Sequence, residues 1–219
     1  ANRYCWMDLC CYPMGRKSVI AKLLTTGINY YSWVNLSILF PMKIAITQRQ
    51  SEINGVTHDC LDPAWYTMLS SHELIPVPNL IGLDIQVDML IFSGGDNSKA
   101  RSLAELVCWS SAMKQEIPVL GVCHGAFLLN YLHDGLNKEV TGHRNIGHTI
   151  EMENKTHTVN SFHDVGIYTL GKDLETVATG MDGSCEAFKH RDKNIWGLVW
   201  HPERMEIPVF PKDLSELLL

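Results

Sequence analysis

The sequence predicts an α/β fold in which a mainly parallel central sheet is flanked by helices. Apolar runs of strand length alternate with segments of helical periodicity from residue 43 onward, which is typical of parallel sheets covered on both faces. A cysteine between two glycines directly follows one apolar run, and a His-Pro-Glu sequence follows another. Because parallel strands end at a common edge of the sheet, we expect these polar residues to lie close together there.

The individual elements follow from local signals. Asp62 and Pro63 are typical of a helix start, since Asp caps a helix and Pro suits its first position. Short strands are expected throughout residues 140–199. A long helix over 99–116 carries apolar side chains that we expect to be buried on one face, namely Leu103, Leu106, Val107 and Met113. The other predicted strands are 43–47, 74–78, 88–93 and 118–122, and the other predicted helices are 63–71, 125–132 and 212–219.

The segment Gly121-Val122-Cys123-His124-Gly125 predicts a nucleophile elbow. Glycines on both sides of Cys123 suit a sharp strand-to-helix turn that exposes the sulfur at the end of the strand. The positive end of the following helix favours thiolate over thiol. A small buried core cysteine is the alternative interpretation.

A base and its partner are predicted at His201 and Glu203, which follow the apolar run 195–199. Pro202 keeps His201 out of helical geometry, and residues two apart in an extended segment project to the same side. With Cys123 these residues form a candidate catalytic triad, in which Glu203 orients the imidazole that transfers the proton. A structural hydrogen-bonded pair is the alternative.

Backbone donors for an oxyanion are predicted at the paired glycines Gly94 and Gly95, where an apolar strand ends. We assign the oxyanion hole to the backbone amides of Gly95 and His124. A plain glycine turn is the alternative interpretation.

Three motifs together resemble the class I glutamine amidotransferase family, and within it the γ-glutamyl hydrolase branch. They are Ser-Gly-Gly-Asp at 93–96, Gly-Val-Cys-His-Gly at 121–125 and Trp-His-Pro-Glu at 200–203. Segments 42–49, 159–163 and 182–187 are similar to γ-glutamyl-γ-aminobutyrate hydrolases and to the γ-glutamyl-CDP-amidate hydrolases of bacterial capsule synthesis.

This resemblance implies a flavodoxin-like arrangement and a hydrolase that opens a γ-glutamyl amide through a thioester, releasing glutamate and an amine. The small-molecule γ-glutamyl substrate is then either a γ-glutamyl-CDP-amidate or a γ-glutamyl-amine. A glutaminase subunit that delivers ammonia to a synthase partner is the alternative, and a homodimer is also open.

Five residues are candidates for substrate binding. Asn160, Ser161 and His163 lie in a segment that the resemblance places at the pocket, although a turn stabilised by Asn and Ser is an alternative there. Gly94 adjoins the predicted oxyanion hole. Arg49 lies just beyond the first strand and is the best placed cation. The other cationic candidates, Lys99, Arg101 and Arg144, are expected to be solvated, and Arg101 is expected to pair with Glu105 at i, i+4.

Two positions depart from the family pattern. Members that use free glutamine usually carry Gln four residues after the nucleophile, where this chain has Phe127. His124 stands where the related branch commonly has Arg, so a permanent charge is missing while the backbone amide is kept. Phe127 therefore argues against ordinary glutaminase activity, and His124 weakens the case for an anionic leaving group at this position.

No metal or other cofactor is expected from the sequence. His143, His148, His157 and His163 fall within 21 residues, but no pair has the i, i+4 spacing of a hydrolytic zinc helix. The cysteine spacing resembles neither a zinc site nor a disulfide framework, which favours a reducing, cytoplasmic compartment.

Charge and hydropathy argue against nucleic-acid binding and a membrane span. The chain has 219 residues and a net charge of −6, which argues against a nucleic-acid surface. We expect residues 42–219 to form the hydrolase domain and residues 1–41 to be an atypical, non-catalytic extension. The apolar part of that extension is interrupted by polar residues, so we do not expect a membrane span, although a tether to a membrane or partner is the alternative.

Overall fold

A computed structural model of the chain describes residues 41–81, 86–141, 143–144 and 147–219. The predicted extension over 1–41 lies, apart from Pro41, outside the described residues, so the proposed domain boundary stays a prediction. No helix within the described ranges is long and apolar enough to cross a membrane.

Strands and helices occupy the described residues as follows. The strands are β1 Lys43–Thr47, β2 Arg49–Ile53, β3 Val56–Cys60, β4 Glu73–Val77, β5 Met89–Phe92, β6 Val119–Val122, β7 Leu136–Glu139, β8 His148–Met152, β9 Lys155–Val159, β10 Val165–Thr169, β11 Leu174–Gly180, β12 Cys185–His190 and β13 Ile195–Leu198. The helices are α1 Ala64–Met68, α2 Lys99–Gln115, α3 His124–Leu132 and α4 Lys212–Leu218, and a 3-10 turn covers Pro202–Arg204.

The parallel half of the sheet has the strand order β4-β1-β5-β6-β13. Its central strands β5, β6 and β13 are buried throughout, as expected for strands that are covered on both faces. Phe92 pairs with Gly121, and Val122 pairs with Leu198, so β5, β6 and β13 end at the same level. This register brings the three segments that follow these strands to one edge.

The other half of the sheet is antiparallel. β12 pairs antiparallel with β13, and β11, β8 and β9 extend the sheet beyond it, while β10 joins β12 to β7. The predicted α/β class with flanking helices is confirmed. The sheet as a whole contains both parallel and antiparallel pairs. After α3 the strands are joined without the helical crossovers that parallel pairing requires, so they pair antiparallel.

A separate hairpin, β2–β3, lies outside the main sheet. Asn54 and Gly55 both have positive φ, at 54° and 75°, which is the conformation that a two-residue type I′ turn requires. The sequence-based assignment of elements did not include this hairpin, although the Asn-Gly pair is its usual signal.

The inward face of helix α2 differs from the predicted one. Leu103 and Leu106 are exposed, whereas Arg101, Glu105 and Cys108 are buried. The small side chains of Ala104 and Ala112 also lie on this inward face. The helix therefore buries an ion pair beside the edge where the motifs meet, and its leucines face outward.

Candidate active site

Cys123 occupies a strained turn between β6 and α3. Its φ of 51° and ψ of −105° are unusual for a residue with a side chain and match the elbow that the sequence predicts. A Cβ atom on Gly121 would collide with the backbone of Gly125, and one on Gly125 would collide with the carbonyl of Phe92. The flanking glycines are therefore required by close backbone approach.

His201 and Glu203 lie beside this turn. His201 Nδ1 is 2.7 Å from Glu203 Oε1, and both side chains are buried. Cys123 lines the same cleft as His201, and its side chain is close enough to contribute to the pKa of His201. The structure thus brings the three residues of the predicted triad together beside one cleft.

The surroundings of His201 favour its protonated form. Burial by itself would lower the pKa of His201, but the hydrogen bonds with Cys123 and Glu203 and the negative charge of Glu203 outweigh it and raise the pKa to about 9. At neutral pH the imidazole therefore holds a proton beside the sulfur.

Two other described cysteines are poor nucleophiles. Burial raises the pKa of Cys108 to about 11 and that of Cys185 to about 12. Neither lies at a strand-to-helix turn with positive φ, and of these three cysteines Cys123 alone lines the cleft with His201.

The loop after β5 carries the predicted oxyanion donors. Gly95 has a φ of 120°, a conformation that side chains rarely adopt, and a Cβ there would lie 2.9 Å from Arg49 Cδ. A Cβ on Gly94 would collide with the ring of His201, so this glycine leaves room for the imidazole. Gly95 and His124 both line the cleft above Cys123.

Arg101 holds this loop from below. It is fully buried and donates hydrogen bonds to the carbonyl oxygens of Ser93 at 2.5 Å, Asp96 at 3.2 Å and Gly94 at 3.3 Å. The expectation that Arg101 is a solvated cation is wrong. The i, i+4 spacing in the sequence predicted the pair with Glu105. It did not reveal that three carbonyl oxygens of the preceding loop accept hydrogen bonds from the guanidinium.

Glu105 connects the loop to the elbow. Its carboxylate accepts from Arg101 Nε at 2.8 Å and from Thr47 Oγ1 at 2.9 Å, and lies 2.8 Å from His124 Nε2. Burial would raise the pKa of Glu105, but the hydrogen bond from His124 and the charge of Arg101 hold it below its usual range. One buried carboxylate therefore contacts both His124 and Arg101, which holds the loop that carries Gly95.

An open cleft of about 360 Å³ lies over Cys123. Two of its arginines are paired, Arg144 with Asp164 at 2.8 Å and Arg204 with Asp62 at 3.0 Å. Arg49 differs, because its buried Nε has no hydrogen-bond partner within the described residues. The cleft is also lined by Gly95, Asp96, Asn97, His124, Phe127, Phe162, His163, Val165 and His201.

The predicted substrate-binding residues divide into two groups. Arg49 and His163 line the cleft, and burial lowers the pKa of His163, which keeps its ring neutral. Asn160 instead lies behind the base: it accepts from His201 N at 2.8 Å and donates to His201 O at 2.7 Å. Ser161 is buried and donates to the carbonyl of His143.

Gly94 is buried beside the His201 ring and so leaves space for the base. Gly94 and Asn160 therefore have positioning contacts with His201, whereas Ser161 holds the segment of His143. Substrate contact stays a prediction for Arg49 and His163, which have side chains in the cleft.

Phe127 forms an apolar part of the cleft wall. Its ring meets that of His163 edge-on, with centroids 5.9 Å apart. A phenyl ring offers no hydrogen bond to a substrate amide, so this wall differs from one that holds free glutamine through a side-chain amide.

The family Peptidase C26 matches this chain over residues 85–203, a range that contains Cys123 and ends at Glu203. A γ-glutamyl-CDP-amidate hydrolase from Campylobacter jejuni is 30% identical over 183 residues, which cover 74% of this chain and 90% of the relative. A glutamine-hydrolysing GMP synthase subunit from Methanosphaera stadtmanae is 30% identical over 110 residues, which cover 46% of this chain and 59% of that protein.

Solved structures show the same fold. A Thermoplasma acidophilum protein described as a GMP synthase subunit superposes with a TM-score of 0.64 at 19% identity, covering 82% of this chain and 93% of that one. At this identity the likeness concerns the arrangement of the sheet and helices. The relatives thus include both a named hydrolase and one component of a glutamine-hydrolysing synthase.

Proposed function

This chain belongs to the Peptidase C26 family of class I glutamine amidotransferase-like hydrolases, and we propose that it cleaves a γ-glutamyl amide bond with Cys123 as nucleophile. The observation that carries the proposal is the thiol–imidazole–carboxylate arrangement at the floor of the cleft. A strained cysteine, a buried base and a carboxylate 2.7 Å from that base are the parts that acyl transfer needs.

The reaction begins when the Cys123 thiolate attacks the γ-carbonyl carbon. The backbone amides of Gly95 and His124 stabilise the oxyanion that forms. The C–N bond then breaks as His201 gives its proton to the leaving nitrogen, and a γ-glutamyl thioester remains on Cys123. His201 next takes a proton from water, and the resulting attack on the thioester breaks the C–S bond, releases glutamate and restores the Cys123 thiolate beside protonated His201.

The leaving group is proposed to be a phosphate-bearing or other polar amine. Arg49 lines the cleft beside Gly95 and would place its positive charge near an anionic group of the substrate. The Campylobacter jejuni relative acts on γ-glutamyl-CDP-amidate according to its name, so this compound is the first candidate. A γ-glutamyl-amine is the second.

An ammonia-delivering glutaminase subunit is less well supported. The amidotransferase components among the relatives are consistent with a partner, but Phe127 places a phenyl ring where the family's glutamine users usually carry an amide. The free cysteines of the described residues support a reducing compartment such as the cytoplasm.

A panel of γ-glutamyl compounds tests the proposal. The full chain is assayed for glutamate release from γ-glutamyl-CDP-amidate, γ-glutamyl-γ-aminobutyrate, a γ-glutamyl-polyamine, a folate-type γ-glutamyl peptide and free glutamine. We expect turnover of at least one γ-glutamyl amide that exceeds turnover of glutamine.

The nucleophile is tested in the same assay. Cys123→Ala should abolish release, while the matched variant Cys60→Ala, which alters a half-buried thiol outside the triad, should keep it. A γ-glutamyl adduct on Cys123 in intact-protein mass spectrometry would identify the thioester. Undiminished turnover by Cys123→Ala would refute the mechanism.

A further inference from the structure

Three histidines from residues 143–163 and one glutamate from β12 meet beside the cleft. They are His143, His148, His163 and Glu186, here called the histidine cluster. One nitrogen or carboxylate oxygen from each residue lies within 4.8 Å of those of the others. A bridge between Arg144 and Phe162 joins the two segments that carry His143 and His163.

His163 presents a free lone pair. Its Nδ1 is 2.7 Å from the carbonyl oxygen of Val165, and because a carbonyl only accepts, Nδ1 carries the proton. Its Nε2 is buried and has no hydrogen-bond partner within the described part of the chain, although the residue is only 4% exposed. Metal-binding histidines show this pattern, with one nitrogen bonded to a carbonyl and the other on the ion.

His143 is held in the same way as His163, but by a carboxylate in place of a backbone carbonyl. Its Nε2 lies 3.2 Å from Asp182 Oδ2, which accepts the ring proton, and its buried Nδ1 is likewise unpartnered among the described residues. Asp182 itself accepts hydrogen bonds from the backbone amide of Ser184 at 3.0 Å and from the hydroxyl of Tyr168 at 2.7 Å. A second imidazole is thus oriented with its proton on a fixed acceptor.

His148 and Glu186 complete the set. His148 Nε2 is 3.1 Å from Glu186 Oε2, close to the separation of two ligands on one ion. The other oxygen of Glu186 accepts from Ser184 Oγ at 2.8 Å, and the glutamate side chain is fully buried. The carboxylate therefore has one oxygen fixed by a hydroxyl and the other directed to the histidines.

We propose that the histidine cluster binds one Zn²⁺ ion. Three imidazole nitrogens and one carboxylate oxygen are donors that zinc takes in four-coordinate sites. Bonds of about 2.0–2.1 Å place tetrahedral ligands about 3.4 Å apart, so donors within 4.8 Å reach them when each moves by less than about 1 Å. All four positions are filled by side chains, which is the pattern of a structural site.

The ion would stabilise one wall of the cleft. His163 contacts Phe127, and the neighbouring ring of Phe162 meets that of His201 with centroids 5.5 Å apart. Zinc on His163 would join this wall to β8 and β12. The sequence-based expectation of no metal rests on helical spacing, which does not detect ligands that strands and loops bring together.

Zinc binding is measured on the full chain in reducing buffer. Chelator-treated protein is equilibrated with Zn²⁺, excess ion is removed, and bound metal is counted by mass spectrometry. We expect one zinc per chain that His163→Asn and Glu186→Gln abolish, while Asp182→Asn weakens binding by about 10–100-fold.

Two controls separate this site from others. His157→Asn alters the fourth histidine of the same stretch, which lies outside the cluster, and should bind zinc as the wild type does. Cys123→Ala should also retain the ion, because the triad is not its ligand set. Circular dichroism checks that each variant is folded.

Cobalt provides a readout that does not depend on any variant. Co²⁺ bound by nitrogen and oxygen gives visible absorption bands without the near-ultraviolet thiolate band that cysteine ligands produce. Wild-type protein without stoichiometric zinc, loss of the ion in Cys123→Ala, unchanged binding in a folded His163→Asn variant, or a thiolate–cobalt band would each overturn the proposal.

Discussion

The two halves of the sheet place histidines beside carboxylates in different ways. In the parallel half, His201 and Glu203 belong to one segment, and one carboxylate oxygen holds the ring at 2.7 Å. In the antiparallel half, histidines from separate segments converge near Glu186, and two of their buried nitrogens lack hydrogen-bond partners within the described residues.

The difference is chemical as well as topological. A single imidazole between a thiol and a carboxylate has both nitrogens engaged and suits proton transfer. Imidazoles that donate their N–H to acceptors outside the histidine cluster present the lone pair of the other nitrogen to a common centre. This arrangement suits metal ligation. The same residue types thus support two functions according to where the second ring nitrogen points.

The largest expected effect concerns the carboxylate in the parallel half. Glu203→Gln keeps the side-chain shape but removes the charge that orients and stabilises protonated His201, and kcat should fall by about 10⁴-fold. Steady-state glutamate release measures it. The exposed neighbour Glu206→Gln is the matched control and should be active. A loss of kcat below tenfold for Glu203→Gln would show that the His201–Glu203 pair does not act in catalysis.

The loss of unfolding free energy is expected to differ between two buried carboxylates, Glu105 and Glu186. Glu105→Gln leaves the permanent charge of buried Arg101 without its partner, and should lower the free energy of unfolding by about 3–5 kcal/mol. Glu186→Gln in metal-free protein should cost less, about 1–3 kcal/mol, because its partners are a hydroxyl and an imidazole. Urea unfolding compares them, and equal losses would contradict the distinction.

A smaller effect is expected from crowding the base. Gly94→Ala places a methyl group against the His201 ring, and displacement of the ring should lower kcat/KM by about 10²-fold. Gly55→Ala is the control, since its φ of 75° imposes backbone strain while no atom of the described residues lies within 4 Å of the added carbon. Equal activity of the two variants would indicate that His201 has room to move.

The last prediction concerns the pH dependence of stability that His201 confers. Its folded pKa of about 9 exceeds its ordinary value of 6.5, so the folded state binds the proton more tightly. The stabilisation is complete below pH 6.5 and is lost as the pH rises through about 9.

Thermal unfolding of the wild type and of His201→Gln measures this contribution. The difference in Tm should shrink between pH 6.5 and about 9. A difference that grows with pH would reverse the assigned direction of the pKa change.

Much of the parallel half of the sheet could be predicted from the sequence. Strand β1 has the predicted bounds, and the other strands and helices of this half differ from prediction by a few residues at their ends. Cys123, His201 and the Gly94-Gly95 turn each follow a strand of one parallel sheet, so their meeting follows from strand direction alone. The local glycine and proline pattern determines the turns themselves.

The buried network behind the site was not predictable in the same way. Arg101 and Glu105 have the spacing of a surface ion pair, and helical periodicity favours the leucines as the inward face. Burial of the pair depends on the carbonyl oxygens of the 93–96 loop, which accept its hydrogen bonds only after β5 and α2 have packed together.

The sequence by itself determined the α/β class and the meeting of thiol, base and loop, because these depend on local turn chemistry and on the common direction of parallel strands. Only the tertiary structure decided that Asn160 holds the backbone of His201, that Glu105 joins His124 to Arg101, and that the histidine cluster forms. Those contacts join segments distant along the chain, and the antiparallel pairings and side-chain packing that bring them together leave no periodic signal in the sequence.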